Sequence, residues 1–160
     1  MNNSGKDKSI NNMNNEVVMF ISAGLFANAS TNTSLADNIN TFMELIANTS
    51  FLLFVVTLLG IMMILTFIGL HPIVFVSILG SQVNPANLNI APEVIALLFM
   101  IGWSMSALIS PANPLNMVIS NAVKCSSLQV GLRFNGLYVI VMFVVCTIYI
   151  YISLDDLIKF

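Results

Sequence analysis

Charge is what this chain has least of. Only 8% of its 160 residues are Asp, Glu, Lys or Arg, against about a quarter in soluble domains. That shortage argues against a single soluble globular domain. With a net charge of −2 and no dense basic patch, it also argues against nucleic acid as a partner, since phosphate binding needs clustered lysines and arginines. Cysteine is scarce as well: Cys125 and Cys146 have no metal-ligand spacing, form no disulfide framework, and read as structural. Neither a nucleophile–base pair, a metal cluster nor a phosphate loop is visible, so an enzyme is not expected. Residues 1–16 are polar and lack an apolar core after their lysines, which is not a signal-peptide pattern. No period of about 20 to 50 residues repeats along the chain.

What is present is apolar. Hydrophobic residues make up 58% of the sequence and mean hydropathy is +0.93, the profile of an all-α polytopic membrane protein. Residues 1–15, MNNSGKDKSINNMNN, read as a disordered polar tail, and 155–160 as a short polar tail. The apolar run at 17–30 falls short of the roughly 20 residues a span needs, and crosses only if its end is sheltered. In 35–47, Leu35, Ile39, Phe42, Met43 and Ile46 fall at helical spacing opposite Asp37, Asn40 and Glu44. This predicts an amphipathic helix on the membrane surface or on a partner.

The run FLLFVVTLLGIMMILTFIGL at 51–70 carries no charge and is the clearest span. His71-Pro72 then opens a run ending at Gly80 that is too short to cross. It either extends the preceding helix with a kink or turns back as half of a re-entrant hairpin. SQVNPANLNIAP reads as a loop. Glu93 precedes a third span at 94–110, on which Gly102, Ser106 and Ser110 share a face that admits a neighbouring helix. Residues 124–135 read as a polar connector, and 136–154 as a last span with Tyr138, Tyr149 and Tyr151 near its ends. The expected count is four crossings plus two short apolar pieces, which places both termini on one side.

ISPANPLNMVIS, 109–120, interrupts that pattern. Pro111 and Pro114 lack amide hydrogens and break the helical ladder, which then resumes at Asn116. Carbonyls freed inside a bilayer cost several kcal/mol each unless protein or water shelters them. Such carbonyls are cation ligands, and a resuming helix presents free amides and about half a positive charge. The spacing predicts that Asn113, Asn116 and Ser120 converge on one side. Ser110, Asn113, Pro114, Asn116 and Ser120 are therefore the candidate substrate- or ion-binding residues. A proline kink that only bends the helix is the plainer alternative.

At these residues the chain resembles the C-terminal half of the ion transporter superfamily, near the divalent-anion:sodium symporters and the arsenite and citrate permeases. Asn113-Pro114-Leu115-Asn116-Met117-Val118-Ile119 is similar to that family's Thr-Pro-Pro-Asn segment, with Asn113 for the threonine and Leu115 for the second proline. Gly131-Leu132-Arg133-Phe134-Asn135-Gly136 resembles the connector into its last span. Ser22-Ala23-Gly24-Leu25, with Thr33-Ser34-Leu35-Ala36-Asp37, resembles an upstream motif.

The resemblance implies one of two inverted repeats of a secondary transporter, occupying 16–154. It implies a small organic or inorganic anion as substrate, Na+ or H+ as coupling ion, and no cofactor. It also implies a partner, either a complementary N-terminal half or another copy in a homo-oligomer, in a bacterial cytoplasmic membrane. The family's Ser-Asn-Thr sodium motif is replaced by Thr66-Phe67-Ile68-Gly69-Leu70-His71-Pro72. His71 joins the candidate site as a proton carrier, its alternative being an interfacial histidine that caps a helix. A non-transporting remnant or accessory subunit is the competing function.

Overall fold

A computed structural model describes residues 17–18, 20–31, 33–88 and 90–157. The tail expected over 1–15, and 158–160 of the C-terminal tail, lie outside the described residues, within which every regular element is helical. The elements are α1 (Phe20–Ser30), α2 (Ser34–Thr49), α3 (Phe51–Ile68), α4 (Pro72–Gln82), α5 (Pro85–Leu88), α6 (Pro92–Ile109), α7 (Pro114–Val123), α8 (Ser127–Gln129), a π-helix (Val130–Phe134) and α9 (Gly136–Leu157).

Three helical segments are long and apolar enough to cross a membrane: Phe51–Ile68, Pro92–Val123 and Gly136–Ser153. The run at 17–30, expected to cross only if its end is sheltered, holds among the described residues the short apolar helix α1.

Residue type explains where the helices stop. Gly69 ends α3 in the left-handed region (φ 114°), with its N–H on Leu65 and Thr66 carbonyls and that of Leu70 on Leu65 O. This is the glycine-dependent helix end that folds the chain back. α4 then returns: Pro72 lies near Trp103 and Ala107, Val76 near Phe99, and Val83 near Pro92. Of the two readings of the His71-Pro72 run, the hairpin is therefore the one adopted. α4 has 11 residues, about 16 Å, and reaches back only to the start of α6.

α6 runs parallel to α3, since Gly102 meets Met62 and Leu59 while Ser110 meets Thr66. α9 descends antiparallel to both, from Asn135 beside Leu108 to Ile150 in the core with Val94, Ile95 and Leu98. The face predicted from Gly102 and Ser106 does admit α3. A Cβ at Gly102 would collide with Met62 Sδ and lie 3.1 Å from Met62 Cε and 3.2 Å from Leu59 Cδ2. Lipid tails are as apolar as leucine, so close van der Waals fit of this kind, rather than burial alone, holds membrane helices together.

α2 is the expected amphipathic helix, capped by Thr33 and carrying Asp37 in its first turn. It buries Ala36, Met43 and Ile46 and packs on α3 and α5, within the chain itself. Phe42, placed on its apolar stripe by spacing, is exposed. Asn87 Nδ2 donates to Glu44 Oε1 at 2.9 Å, tying α5 to α2. The supposed loop 81–92 thus contains a helical turn. The supposed polar connector 124–135 is helical over 127–134, opened by a Ser126–Gln129 capping box.

Candidate functional site

Two interruptions of helix meet at one end of the α3–α6–α9 bundle: Gly69 to His71 between α3 and α4, and Ser110 to Asn113 between α6 and α7. Ser110 Oγ donates to Thr66 O across 3.0 Å, a buried bond that joins the two. Around it lies a cavity of about 90 Å³, walled by Thr66, Gly69, Leu70, His71 and Pro72 on one side. Trp103, Ala107, Ser110, Ala112, Asn113 and Pro114 form the other. At about 30 Å³ per liquid water, it has room for about three waters. Its lining residues include no Asp, Glu, Lys or Arg.

Both re-formed helices start at this cavity. α4 begins with Pro72 and α7 with Pro114, each a proline in the first turn, where the missing amide hydrogen does no harm. α7 thus resumes at Pro114, two residues before the expected Asn116, because Asn113 is a good N-cap and proline tolerates the first position. Asn113 Oδ1 accepts from the Leu115 N–H at 2.8 Å, and His71 Nδ1 accepts from the Ile73 N–H at 3.2 Å. Both predicted site residues are helix caps. The His71 ring also stands edge-on to Trp103, centroids 6.0 Å apart.

The carbonyls freed by the break do not wait for a cation. Asn116, 2% exposed, donates through Nδ2 to Leu108 O at 2.9 Å and to Ser110 O at 2.8 Å. Asn135 Nδ2 donates to the same Leu108 O at 3.1 Å. Gly131 packs so closely on Ile109 that a Cβ there would overlap its carbonyl oxygen. Two asparagines, from two later segments, therefore serve the Leu108 and Ser110 carbonyls at the end of α6, and Gly131 lets the backbone close on the Ile109 carbonyl between them. The expectation that these oxygens stand ready as ion ligands is corrected accordingly: polar side chains satisfy them, as low-dielectric burial demands.

The expected convergence of Asn113, Asn116 and Ser120 is corrected as well. His71, Ser110, Asn113 and Pro114 share the cavity, whereas Asn116 and Ser120 are not among its lining residues. Ser120 Oγ donates to Met117 O at 2.8 Å and lies 3.2 Å from Ser127 Oγ, joining α7 to α8. The start of α7 at Pro114 and the need of Asn116 to reach back to α6 send the two asparagines in different directions.

Sequence reasoning did not name Thr66, Trp103, Gly131 or Asn135 as site residues. Gly131 and Asn135 lie in a motif it quoted, and a lone asparagine before an apolar run is a signal that could have marked Asn135. Thr66 was quoted only as the first residue of the segment standing in place of the sodium motif. Among the described residues, no group of His, Cys, Asp and Glu could hold a metal ion. Compared with family models, with curated proteins and with solved structures, the chain matches none.

Proposed function

We propose that this chain is a membrane-embedded half of a secondary carrier for a small anion, working beside a complementary half or a second copy of itself. The single observation that carries the reading is that α4 and α7 both begin at one small cavity between two helix breaks. Each helix N-terminus brings about half a positive charge, and no carboxylate in the lining opposes them. The cavity suits an oxyanion of a few atoms. A larger carboxylate needs walls from a partner, since sites for drug-sized ligands measure about 300 Å³ or more. The resemblance to the ion transporter superfamily, and a bacterial cytoplasmic membrane as the location, belong to the same proposal. Coupling to Na+ would have to recruit groups outside the Leu108–Ser110 carbonyls. Coupling to H+ at His71 Nδ1 would cost the Ile73 cap, since a protonated Nδ1 is a donor.

The test is uptake of labelled sulfate, arsenite, succinate and citrate into liposomes. They would hold the purified chain alone, or with any complementary hydrophobic chain that the adjacent reading frame encodes. The expected result is flux above that of empty liposomes for at least one of these anions, lowered by Asn113→Ala. Absence of flux for all four in both preparations defeats the carrier reading. A second reading then stands: a non-transporting subunit whose breaks shape a bundle. What favours it is that Ser110, Asn113, Asn116, Ser120 and His71 each already bond a backbone group of the chain.

A further inference from the structure

We propose that the end of the molecule carrying α7, α8 and the π-helix is its cytoplasmic end, held among anionic phospholipid headgroups by Lys124 and Arg133. The inference rests on the three helices long and apolar enough to span, and it holds whether or not the chain transports. Among the described residues Lys124 and Arg133 are the only lysine and arginine, and both are exposed. Lys124 closes α7, which packs on α8 and the π-helix. Arg133 is in the last turn of the π-helix, whose Gly131 sits on Ile109 at the C-terminal end of α6. Both cations therefore belong to the end of the bundle at which α6 stops.

The carboxylates gather at the opposite end. Glu93 is in the first turn of α6, and Glu44 accepts from Asn87 just before that helix starts. Asp155 and Asp156 fall in the last turn of α9, beyond Ile150, which packs with Val94 and Ile95. The remaining described carboxylate, Asp37, is exposed on the first turn of α2. No Asp or Glu occurs from 94 to 154, so neither cation has an acidic neighbour along its own stretch of chain. The connectors of the carboxylate end, Ser50 and 83–91, hold no Lys or Arg. Short connectors that carry Lys or Arg stay on the cytoplasmic side, and carboxylates weigh little in that choice. The surface around the cations suits lipid: Leu115, Val118, Val123, Leu128 and Phe134 are exposed on the same three helices. Apolar side chains at acyl level, with long basic side chains reaching out to phosphates, match an anionic leaflet.

The experiment reads the side and the lipid separately, on the full chain. Cys125, a free thiol next to Lys124, reports the side, with Cys146→Ser removing the other thiol. A membrane-impermeant maleimide should label Cys125 about ten-fold faster in inverted membrane vesicles than in intact spheroplasts of the same expressing bacteria. Faster labelling from outside overturns the proposal, and so do equal rates. A thiol reached only after detergent, from either side, also overturns it, since the α7–α8 turn would then lie inside the bilayer. For the lipid, bimane on Cys125 is quenched by brominated phosphatidylglycerol or brominated phosphatidylcholine in vesicles holding equal amounts of the two headgroups. The parent should prefer phosphatidylglycerol about five-fold, the attraction of one basic side chain near an anionic surface. Lys124→Gln with Arg133→Gln should bring that ratio to about one, whereas Lys124→Arg with Arg133→Lys should keep it. Both pairs change only exposed side chains, so the helices stay packed. No preference in the parent, or a preference that survives loss of both cations, overturns the proposal.

Discussion

Gly102 offers a measure of how much the α3–α6 contact depends on fit. Substituting alanine places a methyl group where Met62 Sδ now sits, with Leu59 Cδ2 only 3.2 Å away and both neighbours buried. Met62 must change rotamer in a contact with little free space, and overpacking of this kind costs about 1–3 kcal/mol. Met62→Ala alone opens a cavity and costs about 2–5 kcal/mol on the soluble-protein scale. The two defects are complementary, since one adds volume where the other removes it. Gly102→Ala with Met62→Ala should therefore lose less than the sum, by a coupling of about 0.5–3 kcal/mol. Trp103, the chain's one tryptophan, is adjacent to Gly102 and reports unfolding directly. Equilibrium unfolding of the four proteins by denaturing detergent in mixed micelles, followed by its emission, gives the cycle. Energies additive to within about 0.3 kcal/mol would refute the claim that close fit at Gly102 holds these helices.

Other outcomes follow from the break. Asn116→Ala should destabilise the bundle by about 1–3 kcal/mol in the same unfolding assay, one buried and one part-buried hydrogen bond being lost. Ser120→Ala should lose under about 1 kcal/mol, its hydroxyl serving only local partners. Asn113→Ala and His71→Ala should each cost about 1 kcal/mol as lost helix caps, and only the second should shift Trp103 emission, through the ring contact at 6.0 Å. A membrane-impermeant maleimide, read by mass spectrometry on nanodisc-held protein, should label Cys125 in the α7–α8 turn well before Cys146. The latter lines a crevice between α6 and α9 with Leu97, Met105 and Met142. Equal labelling rates would contradict the placement of α9 as a span.

Much of the helical layout could be read from local chemistry. Uncharged runs marked α3, α6 and α9, because a bilayer excludes charge and spacing alone reports that exclusion. Pro111 and Pro114 announced the break, since a missing amide hydrogen acts wherever the residue sits. Periodicity gave α2, and Gly69 with Pro72 marked a turn without saying which way the chain would leave it. That direction needed α6: α4 folds back because the Gly69 helix end reverses the chain, and it packs along the 92–107 side of α6. The shortness of the run at 17–30 was legible in the sequence, since span length follows from a residue count alone. The fate of the freed carbonyls was a tertiary matter altogether. The Leu108 and Ser110 carbonyls are served by Asn116 and Asn135, which lie up to 27 residues away along the chain, and no window of sequence contains that encounter. Proline determined that hydrogen bonds would be lost there; only the folded arrangement of α7, the π-helix and α9 decided what replaced them, because a buried acceptor takes whichever donor the topology brings within reach.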